Sequence, residues 1–224
     1  MPLTINDRTI RRVRIVDDEP SVRNAYELSV EDLDLEPVQA EGPLLDLVHF
    51  IDETMEVADA AILDHQLRVS NYADFDGAET VAKLYQRQFP AVLCTTYGEA
   101  KIDEMRRYRR YIPVLLNPDE LEPESLVRGF EQCVQEFSNH YQPSRKPWRT
   151  LLRVETEGQE KSEWAGFFFV VIPAWDPHIK IRLRRNDLPC IIQKRIAPGA
   201  RFHAHVNIGA ETHEELFFEN WEDG

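Results

Sequence analysis

The 224-residue sequence carries 40 acidic and 26 basic residues, a formal net charge of −14 that argues against a general nucleic-acid binder, whose phosphate contacts need Lys and Arg. Hydrophobic residues at 42% and charged ones at 29% are the proportions of an ordinary globular chain, and no apolar run approaches the ~20 residues that span a bilayer. The first residues, MPLTINDRTIRR, hold no apolar stretch of signal-peptide type, and Cys94, Cys133 and Cys190 fall in no CxxC spacing; a cytoplasmic protein with reduced, buried thiols is expected.

In chain order, strands are predicted at 12–16, 35–39, 58–63, 91–95 and 112–116, with helical patterns between them. Val22, Tyr26, Val30 and Leu33 fall on one helical face. Pro43 opens a second predicted helix, with Leu44, Leu47, Val48 and Ile51 facing the core. Ala78, Val81, Ala82 and Tyr85 form a third stripe after Gly77. A short, very basic fourth helix is predicted at about 99–109, and a fifth begins at Pro123 with Leu126, Phe130, Val134 and Phe137 on its buried face. Five βα units predict a parallel, doubly wound sheet of order 2-1-3-4-5 with helices on both faces, a flavodoxin-like α/β domain.

Residues 140–148, HYQPSRKPW, read as a linker. Beyond them the period changes from helical to alternating: Ile179, Ile181 and Leu183 interleave with Lys180, Arg182 and Arg184, and Phe202, Ala204, Val206 and Ile208 with Arg201, His203, His205 and Asn207. With further runs at 149–155, 165–172, 190–195 and 214–219, about six short strands are predicted, a small all-β barrel or sandwich. Composition supports two domains. Residues 1–139 hold 28 acids and 14 bases, a net −14, whereas residues 140–224 hold 12 of each. The expected division is therefore 1–139, a linker at 140–148, and 149–224.

Two predicted strands end in carboxylates: Val13–Val16 runs into Asp17-Asp18-Glu19-Pro20, and Ala60-Ala61-Ile62-Leu63 into Asp64. In a parallel sheet these acids gather at one edge, where like charges repel. A divalent cation resolves that conflict, and Mg²⁺ takes hard oxygen ligands. The fourth strand ends Thr95-Thr96-Tyr97-Gly98-Glu99, and Asp76-Gly77 precedes the third helix.

Across roughly residues 11–138 this pattern resembles the receiver domain of two-component response regulators. The resemblance implies that Asp64 is the phosphoacceptor, that Asp17, Asp18 and Asp64 bind Mg²⁺ with the backbone carbonyl of Gln66, and that the Thr95 hydroxyl donates to the phosphoryl group. Thr96 takes that part if the register is shifted by one. It further implies a histidine kinase or phosphotransfer protein as partner. The fifth strand departs from the family, since Asn117 stands before Pro118 where receivers carry lysine, and Val114 stands where a switching aromatic is common. A neutral amide offers hydrogen bonds and no charge. The segment from His65 to Phe75 is longer than the family usually shows, and is read as a lid or a plain surface loop.

Other clusters remain open. Arg106, Arg107, Arg109 and Arg110 are read as an output or dimerisation face, compatible with a homodimer, or as a solvated helix end. Lys180, Arg182 and Arg184 suit phosphate or an acidic partner, though a solvated strand face is the commoner meaning. His203, His205 and His213 lack the cysteine company of a zinc site and read as surface histidines. No GxSxG, P-loop, GxGxxG or HExxH is present, so no enzyme is expected. The expected function is an atypical response regulator with output by protein contact through the β domain, without nucleic acid or membrane. The alternative is a pseudo-receiver scaffold that is never phosphorylated.

Overall fold

Short runs of largely apolar residues suit strands covered on both faces. The computed structural model, which describes residues 2–96, 99–158 and 165–223, bears this out for the first half of the chain. The structure falls into two compact units, Met1–Tyr97 with Tyr111–His140, and Gly98–Arg110 with Tyr141–Gly224.

The first unit opens with a hairpin that alternation does not announce, β1 (Leu3–Ile5) and β2 (Arg8–Ile10), turned at Asn6 with φ 51°. Its strands are three residues each, too short for period two to show, yet Ile5 and Ile10 join the core. There follow β3 (Arg12–Val16), α1 (Pro20–Glu31), β4 (Glu36–Gln39), α2 (Leu47–Val57), β5 (Ala60–Leu63), α3 (Gly77–Gln86) and β6 (Ala91–Cys94). After α4 (Glu99–Met105) come β7 (Leu115–Leu116) and α5 (Pro123–Phe137). The sheet is parallel throughout, in the order β4-β3-β5-β6-β7. This is the 2-1-3-4-5 order, in which ligands gather beyond the carboxyl ends of the strands.

The helices follow the predicted stripes with one exception. The second begins at Leu47, not Pro43, because Leu44 is held extended by a bridge to Ala73, and the Asp46 carboxylate accepts from the His49 N–H at 2.9 Å. Its buried face is Phe50, Ile51 and Thr54, while Val48 is exposed. The Leu44–Ala73 bridge also ties down the long segment after Asp64. Leu67, Tyr72, Ala73 and Phe75 are buried, and the Tyr72 hydroxyl donates to the Ala40 carbonyl at 2.7 Å. A packed loop, not a free lid, results.

In the second unit one antiparallel sheet runs β10-β9-β8-β11-β12, from β8 (Trp148–Glu157), β9 (Phe167–Ile172), β10 (Asp176–Arg184), β11 (Arg201–Val206) and β12 (Phe218–Asp223). Among the described residues β10 and β12 are its outer strands, so the all-β region is a single sheet. Leu152, Val154, Phe168, Val170, Ile181, Phe202 and Ala204 make up its apolar face. The run at 190–195, expected as a strand, is the short helix α6 (Cys190–Gln193), which follows Pro189 and buries Ile192 alone. In so short a run, periodicity does not separate one helical turn from a strand.

Residues 141–148 are part of this unit's framework. Asn207 is fully buried and donates to the carbonyls of Ser144 (2.9 Å) and Glu215 (3.1 Å), while its own carbonyl accepts from the Phe217 N–H at 2.8 Å. Arg145 is likewise buried, with Nη2 donating to the Arg110 carbonyl at 2.9 Å. Polar composition suggests a linker here; the polar groups are instead satisfied internally. No helix among the described residues is long and apolar enough to cross a membrane.

Candidate functional site

Register decides which side chains meet at the carboxyl edge of the parallel sheet. Val16 lies beside Leu63 and Leu63 beside Leu93, so the next residues on β3 and β5, Asp17 and Asp64, are neighbours. Cys94 pairs with Leu116, so Thr95 and Asn117 follow on the adjoining strands. The four residues singled out in the sequence therefore share one edge. Tyr97 and Gly98 of the same motif lie outside the described residues, and Thr95 retains backbone pairing through its N–H to the Leu116 carbonyl at 2.9 Å.

Asp17 is only 5% exposed, and its carboxyl is pushed up to about 7. Burial is the main cause, offset by the Glu19 N–H that donates to Oδ1 at 2.8 Å; the charges of Asp64 and Asp18 raise it further, and Arg23 lowers it. Asp18 is also raised, first by burial and then by Asp64 and Glu19. The Asp64 carboxylate accepts from the Gln66 N–H at 2.6 Å, a local bond that leaves the Gln66 carbonyl to other partners. Thr95 is 1% exposed and its Oγ1 has no hydrogen-bond partner, which is costly for a buried hydroxyl.

Gly77 shows why an Asp-Gly pair opens α3. A Cβ there would lie 1.8 Å from the Asp64 carbonyl oxygen, so any other residue displaces the backbone that carries Asp64. The Gly77 N–H donates to the His65 carbonyl at 3.0 Å and fixes the same turn. Asn117 is occupied through its backbone. Its N–H donates to Glu120 Oε2 at 3.0 Å, and the Glu120 N–H returns a bond to its carbonyl at 2.9 Å. Val114 is buried in the core and carries no polar group to relay. Nearby, burial raises the Cys94 thiol to about 12, which keeps it protonated and unreactive.

One cation of the site has no counterpart among the residues picked out by sequence pattern, which leaves the acidic edge without a base. The Arg23 guanidinium is buried, donates through Nη1 to the Asp17 carbonyl at 2.5 Å and through Nε to Gln39 at 3.2 Å, and sits 5.6 Å from the Tyr72 ring. The only local signal is an arginine directly after Val22, where α1 turns inward.

The ligand set at the edge consists of hard oxygens; the raised Asp17 and Asp18 ask for positive charge there, and the orphaned Thr95 hydroxyl for a polar partner. These fit Mg²⁺ in chemistry. Among the described residues, however, no three His, Cys, Asp or Glu side chains are grouped closely enough to hold a metal ion, so the carboxylates would have to close around one.

The remaining clusters take other parts. Arg106 and Arg110, expected as an output face or a solvated helix end, are engaged within the second unit. Arg106 Nη1 donates to the carbonyls of His213 (2.8 Å) and Leu216 (3.2 Å), and Arg110 pairs with Glu219 at 3.1 Å. Arg182 is ion-paired with Asp103 of α4. The histidines are dispersed: His205 Nδ1 contacts the Asn220 amide at 3.2 Å and His213 lies against Glu214 at 2.7 Å.

No family model matches the sequence, and no curated protein does. Solved structures are similar to a little over half of the chain. A response regulator receiver domain protein from Clostridium thermocellum shares 11% identity over 58% of this chain and 98% of its own, with a TM-score of 0.43. The signal receiver domain of a modulated diguanylate cyclase from Desulfovibrio desulfuricans G20 shares 18%, over 57% and 96%, at 0.45. The chemotaxis response regulator CheY4 of Vibrio cholerae shares 19%, over 56% and 99%, at 0.40.

Proposed function

We propose that the chain is an atypical response regulator of a two-component phosphorelay, with Asp64 accepting a phosphoryl group from a histidine kinase or phosphotransfer protein. The supporting observation is the common edge at which β3, β5 and β6 end in Asp17, Asp64 and Thr95, two neighbouring acids and a buried hydroxyl with an unused donor. In the transfer an Asp64 oxygen bonds to phosphorus as the bond from phosphorus to the donor nitrogen breaks, and the electron pair leaves with the donor's imidazole. Mg²⁺ held by Asp17, Asp18, Asp64 and the Gln66 carbonyl supplies charge neutralisation when bound. Thr95 then gives its proton in a hydrogen bond to a phosphoryl oxygen. Arg23 stays on the Asp17 backbone carbonyl and holds the main chain that carries the carboxylate. Asn117 can offer an amide N–H but no charge, which slows the transfer without removing its positioning.

Output passes by protein contact through the C-terminal unit. The chain itself provides the route, because α4 follows Thr95 within a few residues and belongs to that unit. A second reading, a scaffold that is never phosphorylated, is favoured by Asn117 and by the absence of a ready-made metal group among the described residues. Treatment with acetyl phosphate and Mg²⁺ followed by intact-mass measurement separates the two. One labile phosphoryl adduct, absent from Asp64→Asn, supports the regulator. No adduct under conditions that label an ordinary receiver supports the scaffold.

A further inference from the structure

The C-terminal unit contains a small cavity between α4, the end of β10 and β12, with a volume of about 40 Å³. Its wall carries four arginines, Arg106, Arg107, Arg182 and Arg184, against two aspartates, Asp103 and Asp187, an excess of two positive charges. Guanidinium groups crowded around one void repel each other; Arg106 is lowered to about 10, chiefly by its burial, with Asp103 and Glu214 acting against the shift and Arg182 adding a little to it. We propose that this cavity binds a phosphate group.

Three observations lead there. Among the residues of the wall itself the acids do not balance the bases, and the further acids Glu104 and Glu214 stand outside it. Asp103 is committed to Arg182, and Arg184 lies 3.6 Å from Glu104. Asp187 faces Arg107 and Arg184, and burial raises its carboxyl against their pull. Second, donors are left over: the Nε–H groups of Arg106 and Arg184 are buried without an acceptor. An orphaned charged donor is among the costlier defects a fold can keep, and an oxyanion removes it. Third, the size fits. At about 10–15 Å³ of such volume per water molecule, the void of about 40 Å³ has room for a group of the size of one tetrahedral oxyanion.

The surroundings narrow the class of phosphate. Phe218 and Trp221 of β12 stack with ring centroids 5.8 Å apart and 22° between planes, and both line the cavity. The Phe167 ring lies 5.3 Å from the Arg182 guanidinium and 5.5 Å from that of Arg184, holding both over a flat apolar surface. A monoester whose organic part is planar would meet the aromatic wall; inorganic phosphate would use the arginines alone. A phosphate site here also explains the basic alternation of β10. Arg182 and Arg184 turn toward α4 and the cavity, and the strip seen in the sequence is not a uniform solvated face.

Calorimetric titration of the full chain with inorganic phosphate and, separately, with a nucleoside monophosphate tests the site. Single-site saturable binding is expected, weakened about tenfold or more in Arg184→Gln and in Arg107→Gln, since each removes a charged donor. Arg107 is exposed, so that variant reads binding without risk to folding. Tighter binding of the monoester with quenching of tryptophan fluorescence identifies a planar monoester as ligand; equal binding identifies the phosphate group alone, and either supports the site. No saturable heat with either ligand, or affinities unchanged in both variants, overturns it. Binding that survives these substitutions but is lost in Asp64→Asn places phosphate at the acidic edge instead and also overturns it.

Discussion

Replacing Asp17 by Asn should stabilise the metal-free protein at pH 8 and change little near pH 4. The Asp17 carboxyl, ordinarily near 3.8, is held at about 7 by burial and by its acidic neighbours. In the folded state it therefore keeps its proton after the unfolded chain has released its own. Between about pH 4 and pH 7 the native state binds more protons, so stability falls as pH rises, and the loss is complete above 7. At ~1.4 kcal/mol per pH unit the window corresponds to about 4 kcal/mol as an upper bound, which water at the sheet edge screens to on the order of 2. Asparagine keeps an oxygen to accept from the Glu19 N–H, which lies 2.8 Å from Oδ1, and removes only the charge. Urea unfolding of both proteins in the presence of a chelator, at pH 4 and pH 8, measures the difference. The Asn variant should lead by about 2 kcal/mol at pH 8, and addition of Mg²⁺ should close that gap by stabilising the wild type alone. Equal stability at pH 8, or a lead that is the same at both values, would refute the electrostatic account of the edge.

Three further outcomes follow from the geometry. Gly77→Ala should lower the melting temperature and abolish acetyl phosphate labelling together, because the added Cβ would lie 1.8 Å from the Asp64 carbonyl oxygen and must displace it; normal labelling would show that this turn does not position Asp64. Asn117→Lys should speed labelling several-fold by restoring a cation at the end of β7, read as adduct mass against time, at little cost in stability since Asn117 bonds Glu120 through its backbone. Asn207→Ala should destabilise the C-terminal unit by about 2 kcal/mol, since the buried Phe217 N–H and the half-buried carbonyls of Ser144 and Glu215 lose their partner at once; a loss below about 1 kcal/mol in thermal or urea unfolding would mean that water replaces it.

Much of the N-terminal unit is written in local pattern. Continuous apolar runs mark β5 and β6, strands buried on both faces, whereas β3 also buries Arg14, whose guanidinium pairs with Glu53 at 2.7 Å. The acids are legible as a set since a parallel sheet brings successive strand ends to one edge whatever the details of packing, and the Val16–Leu63 and Leu63–Leu93 neighbours are the register that does so. Asn117 stands out by position alone.

Other features have no local signal. The hairpin at Leu3–Ile10 and the helical turn at Cys190–Gln193 are shorter than a period, so burial against distant residues decides their form. Arg23 looks like any surface base on α1, and only the approach of Asp17, Gln39 and Tyr72 from separate elements turns it inward. The sequence by itself determined the alternation of strands and helices and the carboxylate edge, because both follow from short-range periodicity and from chain connectivity; which strands lie side by side is a property of the folded sheet. Tertiary structure alone decided that α4 joins the β sheet and that Arg106, Arg182 and Arg184 surround one void, because burial and charge balance are properties of what comes together from distant parts of the chain.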